Sequence, residues 1–245
     1  MSITKVADGS AVNTTTTTLA LVAPTLKAND WLIAVITTHD NTAITGQDAR
    51  WISVYSANNT AAQRVTVFAM SCNGGDSGAT FNFTVAGTTA ALGRLSAFRG
   101  VQGIGNSSSS ANASSATITW ATMTANTKDG TSVILAIFAT AVQTGSDGGL
   151  SAGTPPTVTF NTATYYSAGT TDAIGLYEGY TGTANATGSR TMNNTGAAVN
   201  TGIFVELLAI EQGAGAGQAG VGPVAFPTQP RTRADGRRPG DPLPY

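Results

Sequence analysis

From Leu19 onward, short apolar runs alternate with clusters of Gly, Asn, Asp and Ser. The pattern is cleanest at 80–85, where Phe81, Phe83 and Val85 fall on one side of an extended chain and Asn82 and Thr84 on the other. A period of two marks a strand with one buried face, because successive side chains of a strand point in opposite directions. Residues 63–72 alternate in the same way around Val65, Val67 and Ala69. Residues 31–38 are nearly all apolar and predict a strand buried on both faces. Further strands are expected at 19–22, 50–57, 91–98, 117–120, 131–141, 157–160, 173–180 and 202–211. Nothing before residue 213 sustains a helical period. Short strands at regular spacing with turn residues between them predict an all-β sandwich or barrel. Its expected core includes Leu32, Val35, Val67, Phe81, Phe83, Val133, Ile137, Val205 and Leu207.

The pattern divides the chain. Residues 1–18 read as a polar lead-in ending in a run of threonines, and 105–115, mostly Ser, Asn and Ala, as a low-complexity link. The link separates two similar halves, about 19–104 and 116–212. Lys27-Ala28-Asn29-Asp30 precedes one apolar strand and Lys128-Asp129-Gly130 precedes the other, and each half closes with a Gly/Thr/Ala-rich turn and a last apolar strand. Two intertwined Greek keys would produce this likeness, so the expected fold is a jelly-roll-like β-sandwich over 19–212. Two separate small sandwiches explain it less well, since each half offers few strands. At Gly213 the character changes to Gly-Ala-Gly-Ala-Gly, and six of the nine prolines follow within 223–245. This composition predicts an extended C-terminal arm over 213–245.

Composition narrows the chemistry. Charged residues make up 10% of the chain, well below the ~25% of ordinary soluble domains, while Thr occurs 40 times. Thr is β-branched and keeps a strand's wet face polar without charge. The net charge is -1 and the body has no basic stripe, which argues against nucleic acid as a partner. The longest apolar run, 133–139, is too short to span a bilayer, and the first residues lack the apolar stretch of a signal peptide. A single cysteine, Cys72, allows no intrachain disulfide and suits synthesis in a reducing cytoplasm.

Candidate catalytic groups are few. His39 is the one histidine, and its neighbour Asp40 points to the other side of a strand. Glu178 and Glu206 could supply a carboxylate pair only by meeting across a sheet. Asp76 and Asp147 sit in Gly-rich turns that lack calcium-loop spacing. These readings predict no catalytic residue, no metal and no cofactor. Among Trp31, Trp51 and Trp120, Trp51 is the candidate for stacking on a glycan ring, against the commoner role of core anchor. In the arm, Arg231, Arg233, Arg237 and Arg238 offer forked donors and Tyr245 a terminal aromatic, so these five are the expected partner-binding residues.

Four segments carry a family resemblance. Asn29-Asp30-Trp31-Leu32-Ile33-Ala34-Val35 resembles the G-D-x-L-[IL]-A-x-V strand of a family of phage and prophage virion proteins. Arg50-Trp51-Ile52-Ser53-Val54 is similar to its G-W-x-x-V element, and Arg64-Val65-Thr66-Val67-Phe68-Ala69-Met70 to its x-V-x-V-[FWY]-x-K strand. The stretch from Ala91 to Val101, ending Ala97-Phe98-Arg99-Gly100-Val101, resembles the closing A-x-x-A-[FY]-R-G-V strand, the most distinctive of the four. Asn29 and Arg50 depart from the pattern, each standing where it has Gly. The resemblance implies a β-sandwich without an active site on the exterior of a bacteriophage virion: a capsid decoration, cement or minor head protein, or a tail or collar accessory. It implies assembly in the host bacterial cytoplasm and other virion subunits, including copies of itself, as partners. The alternative is a non-catalytic module that binds a carbohydrate or receptor, with a host surface glycan as ligand.

Overall fold

A computed structural model describes residues 2–87, 90–126, 131–141, 158–160, 164–168, 172–181 and 187–209. The described residues form strands and no helix. The first half contributes β1 (Thr4–Asp8), β2 (Val12–Thr14), β3 (Thr18–Val22), β4 (Trp31–Thr38), β5 (Ile44–Gly46), β6 (Ile52–Asn59), β7 (Gln63–Ser71), β8 (Thr80–Val85) and β9 (Ala91–Arg99). The second contributes β10 (Val101–Trp120), β11 (Val133–Thr140), β12 (Val158–Phe160), β13 (Thr164–Ala168), β14 (Asp172–Thr181) and β15 (Arg190–Ala209). All pairings are antiparallel.

The strands assemble into three sheets. A first large sheet has the order β1-β9-β4-β7-β6, with β2 also on β9. A small sheet has the order β3-β8-β5. A second large sheet has the order β10-β15-β11-β14-β12, with β13 also on β14. Each sheet draws on one half of the chain only, so the halves are not interleaved as the jelly-roll expectation had them. Within the first half the chain visits the two sheets alternately at β3, β4 and β5. However, β6 then pairs with β7 in the large sheet rather than with β5 in the small one.

Side-chain alternation sorts the apolar residues into three layers. Leu32, Ala34 and Ile36 of β4 pack with Leu19, Leu21, Phe81 and Phe83 of the small sheet. Ile33 and Val35 point the other way, into a core shared with Val133, Leu135, Ile137, Val205 and Leu207 of the second large sheet. The first large sheet is therefore covered on both faces, which is why β4 reads as an unbroken apolar run. Ile134, Ala136 and Phe138 lie on the far face of the second large sheet, under Ile118, Trp120 and Met192. Those covering residues come from the outer ends of β10 and β15. Every expected core residue is buried, but they divide between two of these layers instead of sharing one two-sheet interior.

The two large sheets have a similar arrangement of strands. β4 lies between β7 and β9, and β11 between β14 and β15. Ala34 stands opposite Leu95, and Ala136 opposite Phe204. The small-sheet pair Leu19 and Phe83 corresponds to Ile118 and Met192. Glycines mark the same point in each. A Cβ at Gly93 would press on Leu19, Leu21 and Ile36, and one at Gly202 on Thr119 and Trp120. At Gly202 the obstacle is the backbone of the covering strand, whereas at Gly93 it is the ends of packed side chains.

Two segments differ from the sequence reading. The lead-in is structured: β1 and β2 extend the first large sheet, and Ile3 is buried in the shared core. The low-complexity link at 105–115 is the middle of β10, paired along β15 from Val101 to Trp120. It looks like a linker because β10 is an edge strand whose middle is solvated, so small polar residues suffice there.

Candidate functional site

Polar chemistry in the body gathers at three places. The first is the β4 entry. Asn29 takes a left-handed φ of 69°, the conformation for which the resembling pattern has Gly and which Asn tolerates best among the other residues. This turn buries Asp30 to 1% exposure. Its carboxylate accepts two parallel bonds from the Arg99 guanidinium, each 2.8 Å, and a third from the Lys27 amide. Burial alone would raise the Asp30 carboxyl, but the Arg99 and Lys27 hydrogen bonds and the Arg99 charge hold it below the usual carboxylate range. Arg99 ends β9, and Gly100 follows at φ 81°, where a Cβ would strike the Ser2 carbonyl. Asp30 and Arg99 thus tie the start of β4 to the end of β9.

A second clasp lies beside it. Arg50 forks onto Asp76 at 2.8 and 3.0 Å and reaches Asp48 at 2.6 Å. The Arg50 hydrogen bond is the main cause that keeps the Asp76 carboxyl low, and both aspartates raise the Arg50 guanidinium. Asp76 also accepts the Asn73 amide at 2.7 Å, closing its Gly-rich turn. No group of His, Cys, Asp or Glu among the described residues could hold a metal ion.

The third place is the seam between the halves. Asn59 Nδ2 donates to the carbonyls of Asn112 and Asn200 and to Thr201 Oγ1. Asn112 donates to Asn200 Oδ1, and Asn200 donates to the Ser115 and Ala198 carbonyls. Thr201 donates to Gln63 Oε1 at 3.4 Å, whereas Gln63 Nε2 is buried without a partner. These amides replace ladder bonds where β10 and β15 shift register between Asn112 and Thr117.

The sequence candidates do not converge. Trp51 is 9% exposed, its ring set edge-on against Phe68 and Phe81 and tilted on Phe83. It is a core anchor and not a stacking platform, because the turn just before β6 places its ring among residues of the small sheet. Trp120 is also buried, with its indole N–H donating to the Ile137 carbonyl, and Trp31 is half-buried. Position 178 stands opposite Leu135 and position 206 opposite Ile134, so the two positions are one residue out of register across β11. Glu206 is fully buried, with Oε2 accepting the amides of Asn106 and Asn126. His39 is exposed just after β4. Burial pushes the Cys72 thiol up to about 12, which leaves it unreactive. Asp147 and the arm residues Arg231, Arg233, Arg237, Arg238 and Tyr245 lie outside the described residues.

Sequence reasoning missed Asp30, Arg99, Asn59 and Asn200 as organising residues. The first two sit in the resembling motifs, which was the available signal. The asparagines carried none, because only the fold brings them together. No family model, no curated protein and no solved structure matches the chain.

Proposed function

We propose that this chain is a non-catalytic structural protein of the bacteriophage virion exterior. The role favoured is capsid decoration, cement or minor head protein, with tail or collar accessory close behind. One observation carries the reading. The four segments with the family resemblance become four neighbouring strands of one sheet, β9-β4-β7-β6. Their two charged motif residues, Asp30 and Arg99, meet in a forked ion pair. A pattern spread over some seventy residues therefore describes one physical object, with its polar members serving the frame.

The remaining features suit the role. Buried polar groups such as Asp30, Asn59, Asn200 and Glu206 are engaged within the body, which suits a rigid frame, while the Trp51 indole nitrogen and the Gln63 amide nitrogen lack partners. The surface is rich in Ser, Thr and Asn and poor in charge. Partners under this reading are other virion subunits, reached in part through the arm. The glycan-binding alternative has lost its stacking residue with the burial of Trp51.

Particles purified from the phage or induced prophage that encodes the chain should contain it at a fixed copy number by mass spectrometry. Antibody should decorate their outside in electron micrographs. Absence from washed particles ends the reading. A chain truncated at Gly213 should melt like the full chain but fail to attach to particles. Undiminished attachment across a range of salt concentrations would remove the arm from the account while leaving the body in it.

A further inference from the structure

Sheet edges are templates for another strand, and proteins usually guard them with charge, proline, bulges or brevity. The edges here can be compared one by one. β1 carries Lys5 paired to Asp8 at 2.9 Å, with Arg94 beside them. β6 is bulged between Ser53 and Tyr55, and Arg64 lies over its Ser56 at 3.2 Å. β3 and β5 are short, five and three residues. β10 is different. It is a 20-residue edge strand, and Val101–Trp120 contains no Asp, Glu, Lys, Arg or Pro.

Bulges and the Asn59 contact at Asn112 interrupt its two ends, but from Ser107 to Asn112 the register against β15 is unbroken. Among the described residues, 107–111 pair with β15 on one side and with no strand on the other, and the Ser108 hydroxyl donates to the Ala121 carbonyl at 3.0 Å. Ser107, Ser109 and Ala111 are exposed.

We propose that residues 107–111 of β10 pair antiparallel with the same residues of a second copy of this chain. Complementarity selects that occupant. The strand offers no charge to a charged peptide and no apolar row to a hydrophobic one. It offers small neutral side chains and backbone donors and acceptors, which another Ser/Ala strand matches. An antiparallel pair of identical strands has a two-fold axis and closes on itself, as most homodimers do. Five residues bury far less than the roughly 1,200–2,000 Å² of a stable interface, so the pairing is weak between free chains and strong where copies are held side by side. Only that last step rests on the virion reading; the pairing itself can be tested on the purified protein.

The test is a disulfide scan. Single cysteines replace Ser107, Ser108, Ser109, Ser110 and Ala111 in turn in the full chain. The change is small, and the buried Cys72 stays silent. On mild oxidation of concentrated protein, dimers should peak at one of these positions, nearest the axis, and fall away on both sides. The peak variant is then combined with lysines at two of the exposed positions 107, 109 and 111 that it leaves free. Like charges then face each other across the ladder, and the dimer yield should drop about tenfold. Thr18→Lys with Thr80→Lys on the small sheet should leave the yield unchanged, and all variants should melt as the parent does. Dimers at none of the five positions would overturn the proposal. So would equal yields at all five, or a dimer that survives the lysines on β10. Capture of a neutral Ser/Ala peptide by a chain that forms no dimers would show an open edge with a different occupant, and would overturn it too.

Discussion

The two halves build the same frame by different means. The first half makes its small sheet from separate strands: β3 ends at Val22, and β8 stops at Val85 before β9 begins at Ala91. The second half uses continuous strands. β10 and β15 run in one large sheet over most of their length and then bend, so that Ile118, Trp120 and Met192 cover that sheet's own outer face. The bend falls where register shifts cluster and where Gly196, Ala197 and Ala198 leave room. A corner between packed layers can thus be a loop or a bulged strand, and the covering contacts do not record which.

If the halves are equivalent and share one cooperative body, equivalent damage should have related costs. Trp120→Ala should be the most severe change, near the top of the about 3–5 kcal/mol range, because it also removes the bond to the Ile137 carbonyl. Phe83→Ala should cost nearer the bottom of that range, about 3 kcal/mol. Chemical denaturation should show one transition for both, since the middle core couples the halves; two resolved transitions would break the comparison.

The paired glycines sharpen it. At Gly202 a Cβ would meet the Thr119 backbone, whereas at Gly93 it would meet the ends of Leu19, Leu21 and Ile36. Gly202→Ala should therefore reach or pass the upper end of the about 1–3 kcal/mol typical of overpacking, and Gly93→Ala should stay near its lower end. Equal melting temperatures would contradict the account. At the seam, Asn200→Ala leaves Asn112 and the Ser115 carbonyl short of partners and should cost about 1–3 kcal/mol. Gln63→Met should cost less, since the Gln63 amide nitrogen has no partner to lose.

The smallest effect concerns acid. Among the described residues, the carboxyls held low are Asp8, Asp30, Asp48 and Asp76, all in the first half. A depressed carboxyl contributes stability that is complete above the ordinary value of about 3.9 and is lost as pH falls through the folded value. The coupled body should therefore lose stability as pH drops below about 4. Fluorescence of a variant keeping only Trp51 and of one keeping only Trp120 should shift together, and Asp30→Asn should weaken the acid response.

The alternation of large apolar residues made most strands legible. Trp31–Thr38 and Thr80–Val85 have the bounds expected for them. Layering was not legible, because the two-sided burial of β4 says that both faces are covered but not by what. The likeness of the halves was visible at Lys27–Asp30 and Lys128–Gly130, yet their strands do not interleave. β10 escaped notice because pairing along an edge asks little of side chains: Ser107 to Ala111 need only be small and extended. The seam amides were invisible for a related reason. Asn59 and Asn200 become partners only through the closing of the fold, and nothing local marks either.

The register of β10 also fixes an order of events during synthesis. Val101 pairs with Ala209, so β10 leaves the ribosome about a hundred residues before its partner. At ordinary elongation rates that interval is on the order of 5–20 s. By then the first half is complete and can fold on its own strands. β10 meanwhile waits as a nascent, unpaired segment beside a newly folded sheet. An apolar strand in that position would be a hazard for aggregation. A run of serines, asparagines and alanines is well solvated, so the residues that disguise this strand also keep the growing chain soluble until β15 arrives.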